Sequence, residues 1–371
     1  MRAVVLVGGE GTRLRPLTSL VPKPAVTLVD RPFLAYMLEW LAAAGVDDVV
    51  LACGFLPTKL EQALGDGSRY GVRLTYFAEP EPRGTGGALR FVDDEIEGGL
   101  GERFLMLNGD ILTDMDLRAQ IAHHERSGAP GTLALVPVDD PSAYGLVRVG
   151  DDGLVRGFLE KPEPHEIDTD LISAGAYVLE RSVLDLIEPG RKVSIEREVW
   201  PVLAERGLHG YAHRGAYWMD IGTPERYLEG TADILSGRVQ TAAGQALDAR
   251  RISVGENCDI AGEVRGPALL GDGVFMGEGS VAGPATVLGP GVVLEPGAVV
   301  ERSVVLDGAI VGVGAVVRDS IIAPGARVGE GAVVSEGAVL GEGVVIPAGV
   351  KLEPDARVFP DAIPADSPAA L

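Results

Sequence analysis

The sequence predicts a two-domain α/β protein: a Rossmann-like, mostly parallel sheet over residues 1–238, then a parallel β-helix of hexapeptide repeats over 246–355. Three observations predict it. Apolar runs alternate with helical patterns before residue 240, aliphatic residues recur every six positions after residue 245, and 371 residues with 46% hydrophobic content exceed what one core fills. Residues 356–371 are Pro/Ala-rich and read as a tail.

In the first domain, the apolar run Ala3 to Val7 leads into a glycine-rich stretch, Gly8 to Arg15. Asp30 as N-cap, Pro32 in the first turn and Gly45 as the stop predict a helix between them. Apolar runs at 47–53, 71–79, 103–110 and 131–138 read as strands, with helices from near Gly86 and from Asp116 to about Arg126. Strands that alternate with helices build a sheet covered on both faces, and ligands bind at the carboxyl ends of its strands. The Gly8 to Arg15 loop and Asn108–Gly109–Asp110 both fall at such ends.

In the second domain, Leu270, Met276, Ala282, Leu288, Leu294 and Val300 are spaced by six, as are Ile322, Val328, Val334, Leu340, Ile346 and Leu352. Glycine directly follows many of them and reads as turn-forming. Stacked rungs of this kind bury one continuous aliphatic column. The two series stand 22 residues apart, which is not a multiple of six, so one irregular turn is expected near 306–311.

A net charge of -22 without a basic cluster argues against a nucleic-acid or bilayer surface and points to small-molecule partners. Ala3 to Val7 is too short for a signal-peptide core, and no run of about 18 apolar residues exists, so a cytoplasmic protein is expected. Cys53 and Cys258 form neither a disulfide framework nor a zinc motif and read as buried free thiols.

Gly8, Gly9 and Gly11 let backbone N–H groups approach an anion, and Arg13 and Arg15 add charge; the pattern describes a phosphate cradle, with a structural turn as the equal alternative. Lys23 follows, and Asp110 and Asp220 end apolar runs. Magnesium takes one or two protein carboxylates together with phosphate oxygens, which fits these aspartates, although either also suits a helix cap.

The segments "GGEGTRLRPLT" with "PKP", "NGD" at 108–110, "FLEKP" at 158–162 and "WMDIGTPERYL" at 218–228 resemble, in order across the whole first domain, the sugar-1-phosphate nucleotidyltransferases. The repeats behind them resemble the two-domain guanylyl branch, whose helix is left-handed. The resemblance implies Mg2+-dependent transfer of a nucleotidyl group from a nucleoside triphosphate to a hexose 1-phosphate, by in-line displacement without a nucleophilic side chain. It implies that Arg13 and Lys23 hold the triphosphate. Gly8, Gly9, Gly11 and Thr12, with Gly84, Thr85, Asn108 and Gly109, would line the nucleotide. Gly145, Glu160, Lys161 and Ser173 would line the sugar phosphate, and Asp110 and Asp220 would hold the metal. Without it, Glu160 and Lys161 would read as an exposed ion pair, Gly145 as the start of a hairpin turning at Asp151–Gly153, and Trp218 as packing.

Two positions depart from the family pattern. Ser173 stands where asparagine is usual, and Glu10 puts a carboxylate inside the phosphate loop, where it must turn away or pair with Arg13 or Arg15. GTP and mannose 1-phosphate are the expected substrates, from the run after Lys23. The alternatives are thymidylyl, uridylyl or adenylyl transfer to glucose 1-phosphate and a silent regulatory homologue. Acyl transfer by the β-helix is disfavoured by the same kind of resemblance: hexapeptide acyltransferases resemble one another in a histidine base within the helix, and all five histidines here precede residue 245. His123 and His124 read as lying on a solvated helix, and His209 and His213 on a strand. The β-helix is expected to mediate homo-oligomerisation.

Overall fold

Residues 1–54 and 56–361 are described by a computed structural model, and the chain crosses between two compact units more than once. Unit 1 takes Met1–Gly9 and Leu34–Trp218; unit 2 takes Glu10–Phe33 and the chain from Met219 onward. The glycine-rich loop is thus divided between them.

In unit 1, Arg2–Val7 pairs in parallel with Asp48–Cys53 on one side and Arg103–Asn108 on the other, and Asp48–Cys53 pairs with Arg73–Ala78. These strands are Val/Leu-rich because both faces are covered: Val4, Val50, Phe104 and Met106 are buried in one cluster with Tyr177 and Trp200. The Rossmann-like part is therefore as predicted. The sheet becomes mixed at Leu171–Glu180, which runs antiparallel to Arg103–Asn108, to Gly131–Pro137 and to Gly145–Val149. The last of these forms a hairpin with Val155–Glu160 through a turn at Gly153, φ +78°.

Two helix expectations change. Arg31–Pro32 pairs antiparallel with Thr27–Leu28, so the helix starts at Phe33 and Asp30 sits in the intervening turn, paired with Arg31, instead of capping. The helix Leu117–Ser127 is capped by Asp116 as expected, but it is not solvated at His124. That ring is fully buried between the Thr132 hydroxyl at 2.9 Å and the Glu180 carboxylate at 3.0 Å, and burial holds its pKa below the ordinary value.

Unit 2 contains the β-helix, three parallel sheets whose strands repeat once per coil. The predicted aliphatic column points inward and is buried from Leu270 to Ile346. The phase slip lies elsewhere than expected. Between Val300 and Ile322 the buried residues are Val305, Val311 and Val317, so two five-residue steps, both at the same edge, replace one irregular turn. Residues 306–311 are regular. At the shortened corners Arg302 and Asp319 each take φ +46°, and they ion-pair with each other at 2.7 Å, one coil above the other.

The glycines that follow the column serve close approach, since a Cβ on Gly271 would stand 2.7 Å from the Pro290 nitrogen of the next coil. The last pairing, Arg357–Val358 on Val339–Leu340, lies beyond residue 355, inside the stretch read as a tail; residues 362–371 of that stretch lie outside the described residues.

At one edge of the β-helix the column of following residues reads Gly271, Gly289, Leu306, Ala323, Gly341, each N–H donating to the next coil. Leu306 and Ala323 interrupt the glycines. There the segment Pro16–Thr27 packs, leaving a cavity of about 90 Å3 lined by Leu17, Val26, Leu306 and Ala323. The fully buried Tyr227 of the helix Pro224–Ser236 donates its hydroxyl to the Thr27 carbonyl and ties the same segment down.

Candidate active site

In unit 2 the phosphate loop is held open by its glycine. Gly11 has φ +65°, and a Cβ there would stand 3.0 Å from the Lys23 Cβ; its carbonyl accepts from the Thr18 hydroxyl at 2.7 Å. The loop then makes a 3-10 turn, Thr12–Leu14, that buries Leu14 and exposes Thr12 and Arg13. Glu10 pairs with Arg15 at 3.0 Å, with Arg15 only 6% exposed, so the carboxylate is neutralised by a buried partner and Arg13 is left to face outward. Lys23 opens a second 3-10 turn.

Asp220 pairs with Arg226 at 3.1 Å and caps no helix, since the Thr223 hydroxyl caps Pro224–Ser236. Between Arg13 and Asp220 lies a residue that the sequence reading missed. A Cβ on Gly222 would stand 2.9 Å from Arg13 Nη2 and 3.1 Å from Asp220 Oδ2, so the absent side chain makes room for both charged heads.

Unit 1 supplies the other residues at the ends of its strands. Gly8 packs on Gly54, whose Cβ would meet the Gly8 carbonyl at 2.6 Å, whereas nothing lies within 4 Å of a Cβ on Gly9. Gly109 donates to the Leu6 carbonyl at 3.0 Å, and its Cβ would meet Val7 at 2.6 Å; this contact sets Asp110 at the strand end. Asn108 lies against Gly175, which has φ +75°. Asp110 caps no helix either, because Asp116 takes that place.

The glycines at 84–87 seat their helix on the backbone of 191–195. A Cβ on Gly84 would stand 2.6 Å from the Val193 carbonyl, which accepts from the N–H groups of Gly86 and Gly87. Thr85 accepts from the Ile195 N–H at 2.9 Å and donates to Glu196 at 2.7 Å.

Glu160 and Lys161 end the hairpin strand. Lys161 takes φ +53°, and its N–H donates to the Tyr144 carbonyl. A Cβ on Gly145 would meet the Phe158 ring at 2.5 Å and Glu160 Oε2 at 3.2 Å, so glycine is required there by packing as well as by any ligand. Burial raises the Glu160 pKa, and the nearby Glu196 raises it further against Lys161 and Arg197. Ser173 shares a hydrogen bond with the buried Tyr177 hydroxyl at 3.0 Å, and burial first, then Glu196, pushes that phenol up. Trp218 packs as expected: its indole donates to the Ala174 carbonyl and its ring meets Tyr144 edge-on at 5.3 Å.

Glu79 and Glu196 were missed because each stands beside a second glutamate in an ordinary acidic stretch, and what sets it apart, the approach of Glu79 to Gly8 and of Glu196 to Thr85, comes from distant segments. Cys53 is buried, and burial followed by Glu79 pushes its thiol up to about 12; Cys258 is half-buried, and both are free. Among the described residues no helix is long and apolar enough to cross a membrane, and no group of three or more His, Cys, Asp or Glu side chains could hold a metal ion.

Comparison with known proteins gives two family matches: a nucleotidyl transferase model over residues 2–237 and a GMPPB C-terminal domain model over 264–362. The chain is 43% identical to mannose-1-phosphate guanylyltransferase of Mycobacterium tuberculosis over 238 residues, covering 63% of this chain and 65% of that protein, just under two thirds of its length. It is 38% identical to mannose-1-phosphate guanyltransferase of Schizosaccharomyces pombe, covering 70% and 74%. Among solved structures, HddC from Yersinia pseudotuberculosis complexed with GMP-PN is similar at 27% identity and a TM-score of 0.51, covering 62% of this chain and 96% of that one.

Proposed function

The chain belongs to the nucleotidyl transferase family, and from that premise we propose that it joins GTP to mannose 1-phosphate, giving GDP-mannose and pyrophosphate. An oxygen of the sugar phosphate attacks the α-phosphorus of the triphosphate in line, the α–β bridging bond breaks, and pyrophosphate leaves with its electron pair. No proton has to move, so the work is positioning and charge neutralisation. Arg13 and Lys23 hold the triphosphate, Lys161 the sugar phosphate and Glu160 the sugar hydroxyls.

Asp110 and Asp220 fit magnesium by the chemistry of their oxygen donors: a hard cation that shares its shell with phosphate needs one or two carboxylates, not a closed protein cage. When bound, the ion neutralises charge on the phosphates. We place the reaction in the cytoplasm and assembly into homo-oligomers on the β-helix.

The observation that carries the reading is the family match together with relatives at 38–43% identity named for this reaction. Its test is a matrix of nucleoside triphosphates against hexose 1-phosphates scored by pyrophosphate release. GTP with mannose 1-phosphate should give the highest kcat/KM, and a tenfold preference for dTTP or UTP would refute it.

A further inference from the structure

The helix Leu117–Ser127 carries two adjacent histidines, and the burial of one aims the other. Thr132 and Glu180 hold His124 beneath the helix, so His123 turns toward the strand His209–Ala212, which pairs in parallel with Gly131–Pro137. There His123 Nε2 stands 3.3 Å from His209 Nδ1. The ring of Tyr211, on the same strand face as His209, packs against His123 at 5.2 Å and walls one side of the pair. The hairpin turn at Gly153 approaches as well: its carbonyl accepts from the Gly210 N–H at 2.9 Å, and Leu154 bridges to His209. A Cβ on Gly153 would stand 3.2 Å from His209 Nδ1 and 3.7 Å from His123 Cε1, so the absent side chain leaves the facing nitrogens uncovered. The transfer reaction gives neither histidine a part.

A separation of 3.3 Å is long for a hydrogen bond from N–H, which runs to about 3.2 Å. It matches two imidazoles on one metal ion. With zinc about 2.0–2.1 Å from each nitrogen in tetrahedral geometry, the two nitrogens stand about 3.3–3.4 Å apart. A ligating imidazole must be neutral. Burial, and then His209 itself, lowers the His123 pKa and favours that form.

We propose that His123 Nε2 and His209 Nδ1 bind one divalent transition metal of the zinc class, with water completing its shell, and that the metal pins the helix Leu117–Ser127 to the strand His209–Ala212. The proton now shared between the two nitrogens moves within its own ring, to Nδ1 of His123 or to Nε2 of His209, and nothing is oxidised or reduced. Imidazole suits zinc, copper and nickel, whereas magnesium keeps to oxygen donors. The pair is therefore chemically distinct from Asp110 and Asp220, and its metal stabilises unit 1 without entering the transfer reaction.

The test is titration calorimetry of the full chain with zinc chloride in excess magnesium at neutral pH, with melting temperatures. Wild type should bind one zinc ion that magnesium does not displace, and at about 100 times the Kd its melting temperature should rise by about 5 °C or more. His123→Gln and His209→Gln should each weaken binding at least tenfold and cancel that rise, with kcat/KM in magnesium alone staying within twofold of wild type. Asp110→Asn and Asp220→Asn should keep both the binding and the rise. If one histidine variant melts early without metal, the other carries the test, since each removes one of the two ligands. Wild type supplies a further readout, because zinc should shift the imidazole NMR signals of two of the five histidines and leave the rest in place. A wild type that binds no zinc beside magnesium, zinc binding undiminished in a folded histidine variant, or imidazole signals that zinc does not move would each overturn the proposal.

Discussion

Filling the cavity between the phosphate loop and the β-helix should stabilise unit 2, and Ala323→Leu is the substitution that does it. Ala323 lines a space of about 90 Å3, several times the roughly 10–15 Å3 that one water needs. Three added carbons at about 0.8 kcal/mol each contribute about 2.4 kcal/mol, and ordering a leucine costs about 0.5–1 kcal/mol, leaving about 1.5 kcal/mol. At about 2–4 °C per kcal/mol for a unit of this size, the transition should rise by about 3–6 °C. Leu306→Ala removes three carbons from the same wall, one coil away, and should cost about 2–5 kcal/mol, lowering the same transition. Scanning calorimetry reads both. A fall in melting temperature for Ala323→Leu would mean overpacking, and the cavity would not be the receptive space described.

Three further outcomes are expected. In Glu196→Gln, loss of the charge that helps raise the Glu160 pKa should move the acid limb of kcat/KM for mannose 1-phosphate to lower pH, because the functional carboxylate then ionises earlier; a pH profile that stays put, or moves up, refutes the coupling. Since a carboxyl group with a raised folded-state pKa loses stability as pH rises through its unfolded value, Glu160→Gln should melt higher than wild type at pH 7. Gly222→Ala should displace the side-chain heads of Arg13 and, by less, Asp220, changing stability by about 0.5 kcal/mol or less while lowering kcat/KM on the order of tenfold or more; wild-type kinetics would remove Gly222 from the site. Asp110→Asn and Asp220→Asn should each lower kcat/KM on the order of 100-fold, and the double mutant should fall well short of the product, a result that full multiplicativity would contradict.

The β-helix was legible because its physics is periodic: a buried column every sixth residue writes itself into composition. The two five-residue steps were not, because the residues that replace the missing positions, Arg302 and Asp319, are ordinary surface charges until their coils are stacked. The edge that receives Pro16–Thr27 is marked in the sequence only by Leu306 and Ala323, which break a glycine column that becomes visible once the coils are stacked. In the site, motif residues with local reasons were found in order along the chain. Those defined by distant neighbours were not: Glu196 meets Thr85 from 111 residues away, and Gly222 matters only for the two heads that converge above it. Glu10 posed a question of choice between two arginines, and burial of Arg15 answers it. His124 was misjudged because adjacent positions of one helix point different ways, one histidine half-exposed and the next buried, and no spacing distinguishes a ring held by Glu180 from one that meets water.

The passage of the chain from unit 1 into unit 2 at Glu10, back at Leu34 and out again at Met219 has a consequence for synthesis. The segment Pro16–Thr27 leaves the ribosome early, but the wall it packs on, at Leu306 and Ala323, is translated much later. At about 5–20 residues per second the nascent loop waits some tens of seconds for its support. During that interval the apolar stretch Pro16 to Phe33 lacks both the β-helix wall and Tyr227, and it is open to capture by chaperones or by neighbouring chains on the same message. Slowing elongation downstream of residue 219 should lengthen that exposure, and soluble yield should fall without any change in the finished protein.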